Sequence, residues 1–231
     1  MRAATIGVLL SAALAQSASA YDAYDPANCN GAGEEKRPIT VSKVMAHPRV
    51  NFVKSPYDDN FTASTCPAST RACRKKDYLL SGDLVLVGAA RGDFACVSYQ
   101  SPLAKRQVWA NGWLPAAALA PVPPMPSPKP ADWIGAWRHP GGHIEIKSDG
   151  GGKLAIEGEM VVPTARDFHN GGFKAQVTPQ AATLAFADDG SNYGDGCKVR
   201  MERIGAWLLV VDNAGCGGAG VSFLGLYRRG K

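Results

Sequence analysis

The chain has few of the residues that make catalysis easy to find. Of its 231 residues only four are histidine, at positions 47, 139, 143 and 169. His139 and His143 stand four apart, the spacing at which a helix would aim both at one metal. Pro140-Gly141-Gly142 lies between them and makes that stretch a turn. A metal site joining His139, His143 and His169 is therefore not expected, and no cofactor is called for. The Gly-x-Ser-x-Gly pattern is missing, and Gly220-Val221-Ser222 runs on into Phe223-Leu224, so there is no nucleophile elbow. Gly215 to Gly220 is glycine-rich but lacks the Lys-Ser/Thr and following helix of a phosphate loop. Glu157 and Glu159 share one face of a strand, an arrangement that marks a solvated surface. No enzyme is expected. Long apolar runs are scarce too: Thr5 to Ala15 is too short for a bilayer, which needs about 20 residues. No later stretch is apolar enough to span a membrane.

Arg2, the apolar stretch and Ala18-Ser19-Ala20 together have the form of a signal peptide over residues 1–20. Residue 21 is Tyr, so no lipid anchor is expected there, and the mature protein should be periplasmic or secreted. Six cysteines in an exported chain point to disulfides. Cys197 and Cys216 have only each other in the second half. Cys29, Cys66, Cys73 and Cys96 allow three connectivities. The short loop CPASTRAC favours Cys66–Cys73, which leaves Cys29 to pin an N-terminal arm (residues 21–38) to Cys96.

Residues 121–130 read PVPPMPSPKP, six prolines in ten. Such a run cannot continue a helix and favours polyproline II at about 3.1 Å per residue, so it should hold its flanks roughly 30 Å apart. Its PxxP spacings, Pro121–Pro124 and Pro123–Pro126, also allow a bait for a partner's groove. The spacer reading divides the mature chain into residues 39–120 and 131–231, two separately folded bodies of a size usual for domains. Residues 21–130 hold 13 Lys and Arg against nine Asp and Glu, whereas residues 131–231 hold 11 of each. The basic excess is densest at Arg71, Arg74, Lys75 and Lys76, within a polar loop from Ser55 to Lys76. Such a cluster can recruit anionic polymers, but a solvated loop is the simpler reading and nucleic acid is not expected in this compartment.

Strand signals in the first half cover Ile39–Val44, Val50–Val53, Leu84–Val87, Phe94–Tyr99 and Trp109–Pro115. Tyr78 to Val87, then Gly92-Asp93-Phe94, then Gly112-Trp113-Leu114-Pro115 follow an order that resembles a bacterial SH3-like domain. The resemblance covers about residues 39–121 and implies a five-stranded half-open barrel that binds peptidoglycan or tethers a neighbour. By position, Phe94 stands where proline-peptide-binding relatives keep a ligand-contacting Trp, and Pro115 where they keep a groove Pro. Their groove Tyr is Ala118 here, which argues against an ordinary proline-peptide groove. Tyr57, Phe94, Tyr99, Trp109 and Trp113 remain as an aromatic face for stacking on sugar rings, unless two or three of them are the barrel's core.

In the second half eight short strand-like runs, opening at Trp133–Arg138, are separated by Gly-, Asn- and Asp-bearing turns, with no helical period. Ile144/Ile146, Leu154/Ile156, Val199/Met201 and Leu208/Val210 alternate as one buried face. An antiparallel barrel or sandwich is expected, so the whole chain reads as all-β. Gly135-Ala136-Trp137 with Arg228 resembles the calycin pattern, which implies an arginine from the final strand packing over the Trp137 ring. The stretch from Gly196-Cys197 to Tyr227-Arg228-Arg229 also resembles a module of uncharacterised exported proteobacterial proteins, some grouped with lysozyme inhibitors. The function expected is non-enzymatic: a monomer docking on peptidoglycan or an envelope protein through its first barrel. The alternatives are a calycin-like carrier of a small apolar ligand, or a lysozyme or hydrolase inhibitor acting through the Asp188–Gly196 loop.

Overall fold

A computed structural model of the chain describes residues 25–32, 38–61, 65–101, 108–188 and 196–230. The expected leader, part of the arm and most of the Asp188–Gly196 loop lie outside these residues. All six cysteines are paired, as Cys29–Cys96, Cys66–Cys73 and Cys197–Cys216. The regular structure of the described residues is almost entirely strand, arranged as a half-barrel sheet followed by a nearly closed barrel.

The first sheet contains β1 (Thr40–Val44), β2 (Arg49–Val53), β3 (Arg74–Leu80), β4 (Leu84–Arg91), β5 (Phe94–Gln100), β6 (Trp109–Pro115) and β7 (Leu119–Pro121), in the order β3-β2-β6-β5-β4-β1-β7. It therefore has seven strands where five were expected. The basic cluster is the source of one addition: Arg74, Lys75 and Lys76 belong to edge strand β3 and not to a loop. Only Leu79 of that strand is buried, so it carries no alternation to read and is held by its ladder to β2. The other addition, β7, ends on Pro121. A proline is tolerated there because β7 lies at the sheet edge, beside β1. Val44, Phe52, Leu79, Val85, Val97 and Leu114 fill one core, while Trp113 and Phe94 pack around the two disulfides in another.

The second sheet runs through β8 (Gly135–His139), β9 (Gly142–Ser148), β10 (Leu154–Pro163), β11 (Phe168–Val177), β12 (Thr183–Asp188), β13 (Cys197–Ile204), β14 (Trp207–Asp212) and β15 (Gly225–Arg229). Neighbours in sequence pair, β15 returns to β8, and only the seam between β11 and β12 has no ladder. The four alternating pairs read from the sequence all point inward and are buried. Trp133 on the short helix α1 (Pro130–Trp133), Trp137, Met160, Phe173, Phe223 and Tyr227 pack among them and fill the interior.

The cation over Trp137 is not Arg228. Arg203 and Arg229 carry their guanidinium carbons 4.3 and 4.9 Å from the Trp137 ring centroid, whereas Arg228 stands 5.4 Å over Trp207. Register is the reason. Arg229 is paired with Trp137, while Arg228 is paired with Arg138 and Trp207, and successive strand residues face opposite sides.

The proline-rich segment does not hold the two sheets apart. Val122 N–H donates to the Val41 carbonyl at 2.8 Å, Met125 N–H donates to the Arg203 carbonyl at 2.7 Å, and Pro128 is buried. Ala32, Ile39, Val41 and Leu86 from the first half form one buried cluster with Ile204 and Leu209 from the second. The cause lies in β14, whose sequence Trp207-Leu208-Leu209-Val210-Val211 is apolar on both faces. Leu208 and Val210 fill the barrel, so Leu209, Trp207 and Val211 need a second cover, and the first sheet supplies it.

Replacing Ile204 and Leu209 by Ala should each cost about 2–4 kcal/mol. In calorimetry the wild type should melt as one unit and the double variant as two separate transitions.

Candidate functional site

The contact between the two sheets leaves a cleft of about 250 Å³. Its floor follows from the ladder of the first sheet. Leu86 pairs with Ser98, and Gln100 pairs with Trp109, so these four side chains share the face turned toward the second barrel. Residues of the arm lie on the same face: Ala32 N–H donates to Ser98 Oγ at 2.8 Å, and the Asn111 amide donates to the Asn30 carbonyl at 2.8 Å. The Cys29–Cys96 bond anchors the arm's other end. The opposite wall comes from the barrel, as His139, Pro140, Trp207 and Leu226.

His139 ends β8, is 6% exposed, and has neither ring nitrogen hydrogen-bonded. Its ring stacks on Tyr227 with centroids 4.7 Å apart and lies 6.2 Å from the Trp109 ring. Behind it is Gly225 (φ +156), where a Cβ would lie 2.4 Å from Nε2, so glycine there is what makes room for the imidazole. Burial lowers its pKa from 6.5 to about 4; the Pro140 carbonyl, near the ring but outside hydrogen-bond geometry, opposes this only in part. The ring is therefore neutral near pH 7. Across the cleft, both the oxygen and the nitrogen of the Gln100 carboxamide are shielded from solvent and have no partner. At the rim the Asp83 carboxylate accepts from Leu80 N–H at 2.8 Å and from the Tyr99 hydroxyl at 3.4 Å. Burial first, and the Asp83 charge second, raise the Tyr99 pKa.

The six aromatic and proline positions singled out in the sequence do not gather at one site. Tyr99 and Trp109 line the cleft. Phe94 and Trp113 are buried beside the disulfides, with the Trp113 indole N–H donating to the Ala27 carbonyl at 3.2 Å. Tyr57 donates its hydroxyl to Asp25 and so ties down the arm, and Pro115 lies opposite Phe94 at the far end of β6. The two core positions were available to sequence reasoning as an alternative; by register they share a sheet face with Trp109 but lie further along β5 and β6, against the disulfides, while Tyr99 has the other facing.

The histidines are dispersed as well. His143, paired with Arg138 and so facing the opposite side of the β8–β9 hairpin from His139, approaches Glu159 at 3.9 Å, and His169 meets the Ala219 carbonyl. Among the described residues no group of His, Cys, Asp and Glu could hold a metal. Gln100 and Trp207 went unnoticed in the sequence. The uninterrupted apolar run Trp207–Val211 was the available signal for Trp207, because a strand buried on both faces reads that way. Nothing local distinguishes Gln100. Comparison of the chain with protein-family models, characterised proteins and solved structures finds no match. The chemistry of the cleft is therefore read from its own side chains: apolar and aromatic walls, two buried neutral polar groups without partners, and one carboxylate already engaged at the rim.

A His held at about 4 when folded and 6.5 when unfolded makes stability fall as pH drops from about 6.5 toward 4, because the unfolded chain then binds the extra proton. The loss by pH 4.5 should be about 2.5 kcal/mol. Urea unfolding at pH 7 and pH 4.5 should show it in the wild type and not in His139→Phe, the difference between the two chains isolating this group.

Proposed function

We propose that the protein is a non-catalytic, exported binding protein that docks on the cell envelope, on peptidoglycan or an envelope protein. The cleft between its two β-barrel modules is the contact. The observation that carries this reading is the pair of shielded polar side chains without partners, Gln100 and His139, set among the aromatic rings of Tyr99, Trp109 and Trp207. A buried carboxamide without partners costs about 1–3 kcal/mol for each unmet group, which an incoming ligand can relieve. The resemblance of residues 39–121 to bacterial SH3-like domains supports the envelope as the destination. Three disulfides and no described helix long and apolar enough to cross a membrane fit a periplasmic or secreted protein. Compared with the sequence-based expectation, the contact is assigned to both modules and not to the first alone. The filled barrel interior gives no support to a carrier of an apolar ligand.

Full-length mature protein should pellet with envelope fragments at low salt, and Trp109→Ala should reduce the retained fraction at least several-fold. Retention on sacculi stripped of protein would assign peptidoglycan; retention only on unstripped fragments would assign an envelope protein. Recovery of the wild type wholly in the supernatant in both cases overturns the proposal.

A further inference from the structure

Four properties of the cleft restrict what can occupy it. Its walls are mostly apolar, with Leu84, Leu86 and Trp109 on the first sheet and Trp207 and Leu226 on the barrel. Its volume of about 250 Å³ falls below the roughly 300–1,000 Å³ usual for sites that enclose a whole small molecule. It therefore suits one large side chain. Among the described residues no Lys or Arg lines it, and its one carboxylate, Asp83, already accepts from Leu80 N–H and the Tyr99 hydroxyl. Among the described residues an anion would find no counter-ion, and a cation only one that is already engaged.

The fourth property is the Gln100 carboxamide, which has one donor end and one acceptor end, both unmet. The complement of such a pair is one residue of extended backbone, whose C=O accepts and whose N–H donates on the same side of the chain. Gln100 lines the cleft, and its side chain has three rotatable torsions. His139 has no such freedom, stacked on Tyr227 and backed by Gly225, and it stays as a fixed neutral wall. A sugar would place its hydroxyls against Leu84, Leu86 and Leu226, where nothing pairs with them, and losing their hydration uncompensated disfavours it.

We infer that the cleft takes an extended, uncharged peptide segment of a partner protein, burying one bulky apolar side chain between the walls that carry Trp109 and Trp207 and pairing the backbone N–H and C=O of one residue with Gln100. This rests on the cleft being the docking site and narrows the partner from envelope material in general to protein. Gln100 supplies backbone pairing and the leucine and indole walls supply side-chain selection, a division of labour common to peptide recognition.

The chain has five tryptophans, so its indole N–H resonances report the site directly. The mature protein is titrated with capped pentapeptides acetyl-Gly-Ser-X-Ser-Gly-amide, with X as Phe, Leu, Ala, Lys or Glu, and separately with chitotetraose. The Phe and Leu peptides should shift the Trp109 and Trp207 signals with dissociation constants at least about tenfold tighter than the Ala peptide. The Lys and Glu peptides should shift neither signal, and the Trp133 and Trp137 signals should stay in place throughout. Gln100→Met should weaken the Phe peptide about tenfold while those last two signals show that the barrel is intact. Should that variant fail to fold, Trp207→Leu serves with the same readout at Trp109.

Equal response to Phe and Ala, binding of Lys or Glu peptides as tight as Phe, or an unchanged Gln100→Met overturns the inference. So does chitotetraose shifting Trp109 and Trp207 where the peptides do not. If the peptides fail but stripped sacculi still retain the protein, the peptide occupant falls and envelope docking stands. If the peptides bind as expected but no envelope fraction retains the protein, the occupant stands and envelope docking falls.

Discussion

Everything in this molecule depends on a strand that is apolar on both sides. The inner residues of β14, Leu208 and Val210, complete the second barrel, and the outer ones, Trp207, Leu209 and Val211, meet Ile39, Val41 and Leu86 across the junction. Water on the outer face would leave an apolar patch of the kind that monomeric proteins seldom expose. The junction follows, and with it the cleft, because two curved sheets that touch along one line of side chains diverge on either side of it. The orphaned carboxamide and the neutral imidazole lie where that divergence begins.

The arm and the disulfides act on the same face. Residues 29–32 are fastened at one end by Cys29–Cys96 and at the other by the hydrogen bond from Ala32 N–H to Ser98, so Ala32 is delivered into the inter-barrel cluster. A chain of this size, with Trp113 packed against two sulfur bridges, stabilises a small half-barrel partly by restricting its unfolded state. The second barrel depends less on such restraint, since its interior holds four large aromatic side chains, Trp133, Trp137, Phe223 and Tyr227, all fully buried.

The sequence was most legible where alternation is strict. Ile144/Ile146, Leu154/Ile156 and Val199/Met201 marked the barrel interior because each is flanked by residues that face water. The cysteine pairs were legible from spacing and the short CPASTRAC loop. Strand β3 was hidden because Arg74 to Leu80 buries a single side chain and owes its conformation to β2. Arg229 was hidden by a one-residue ambiguity in register that only the ladder to β8 removes. Of the site, Tyr99 and Trp109 were named as aromatics, but nothing along the chain joins them to His139, forty and thirty residues further on. That proximity is a product of the inter-barrel contact, and the proline-rich segment, read as a rod, pointed away from it.

The bonds from Val122 to β1 and from Met125 to β13 show that this segment is a fitted seam. Its two neighbours are therefore not interchangeable parts. A graft of either half onto an unrelated scaffold would strand Leu209, Trp207 and Leu226, or Val41 and Leu86, in solvent. Recombination between genes for such chains would have to carry matching outer faces together, and the two barrels should travel through evolution as one inheritance.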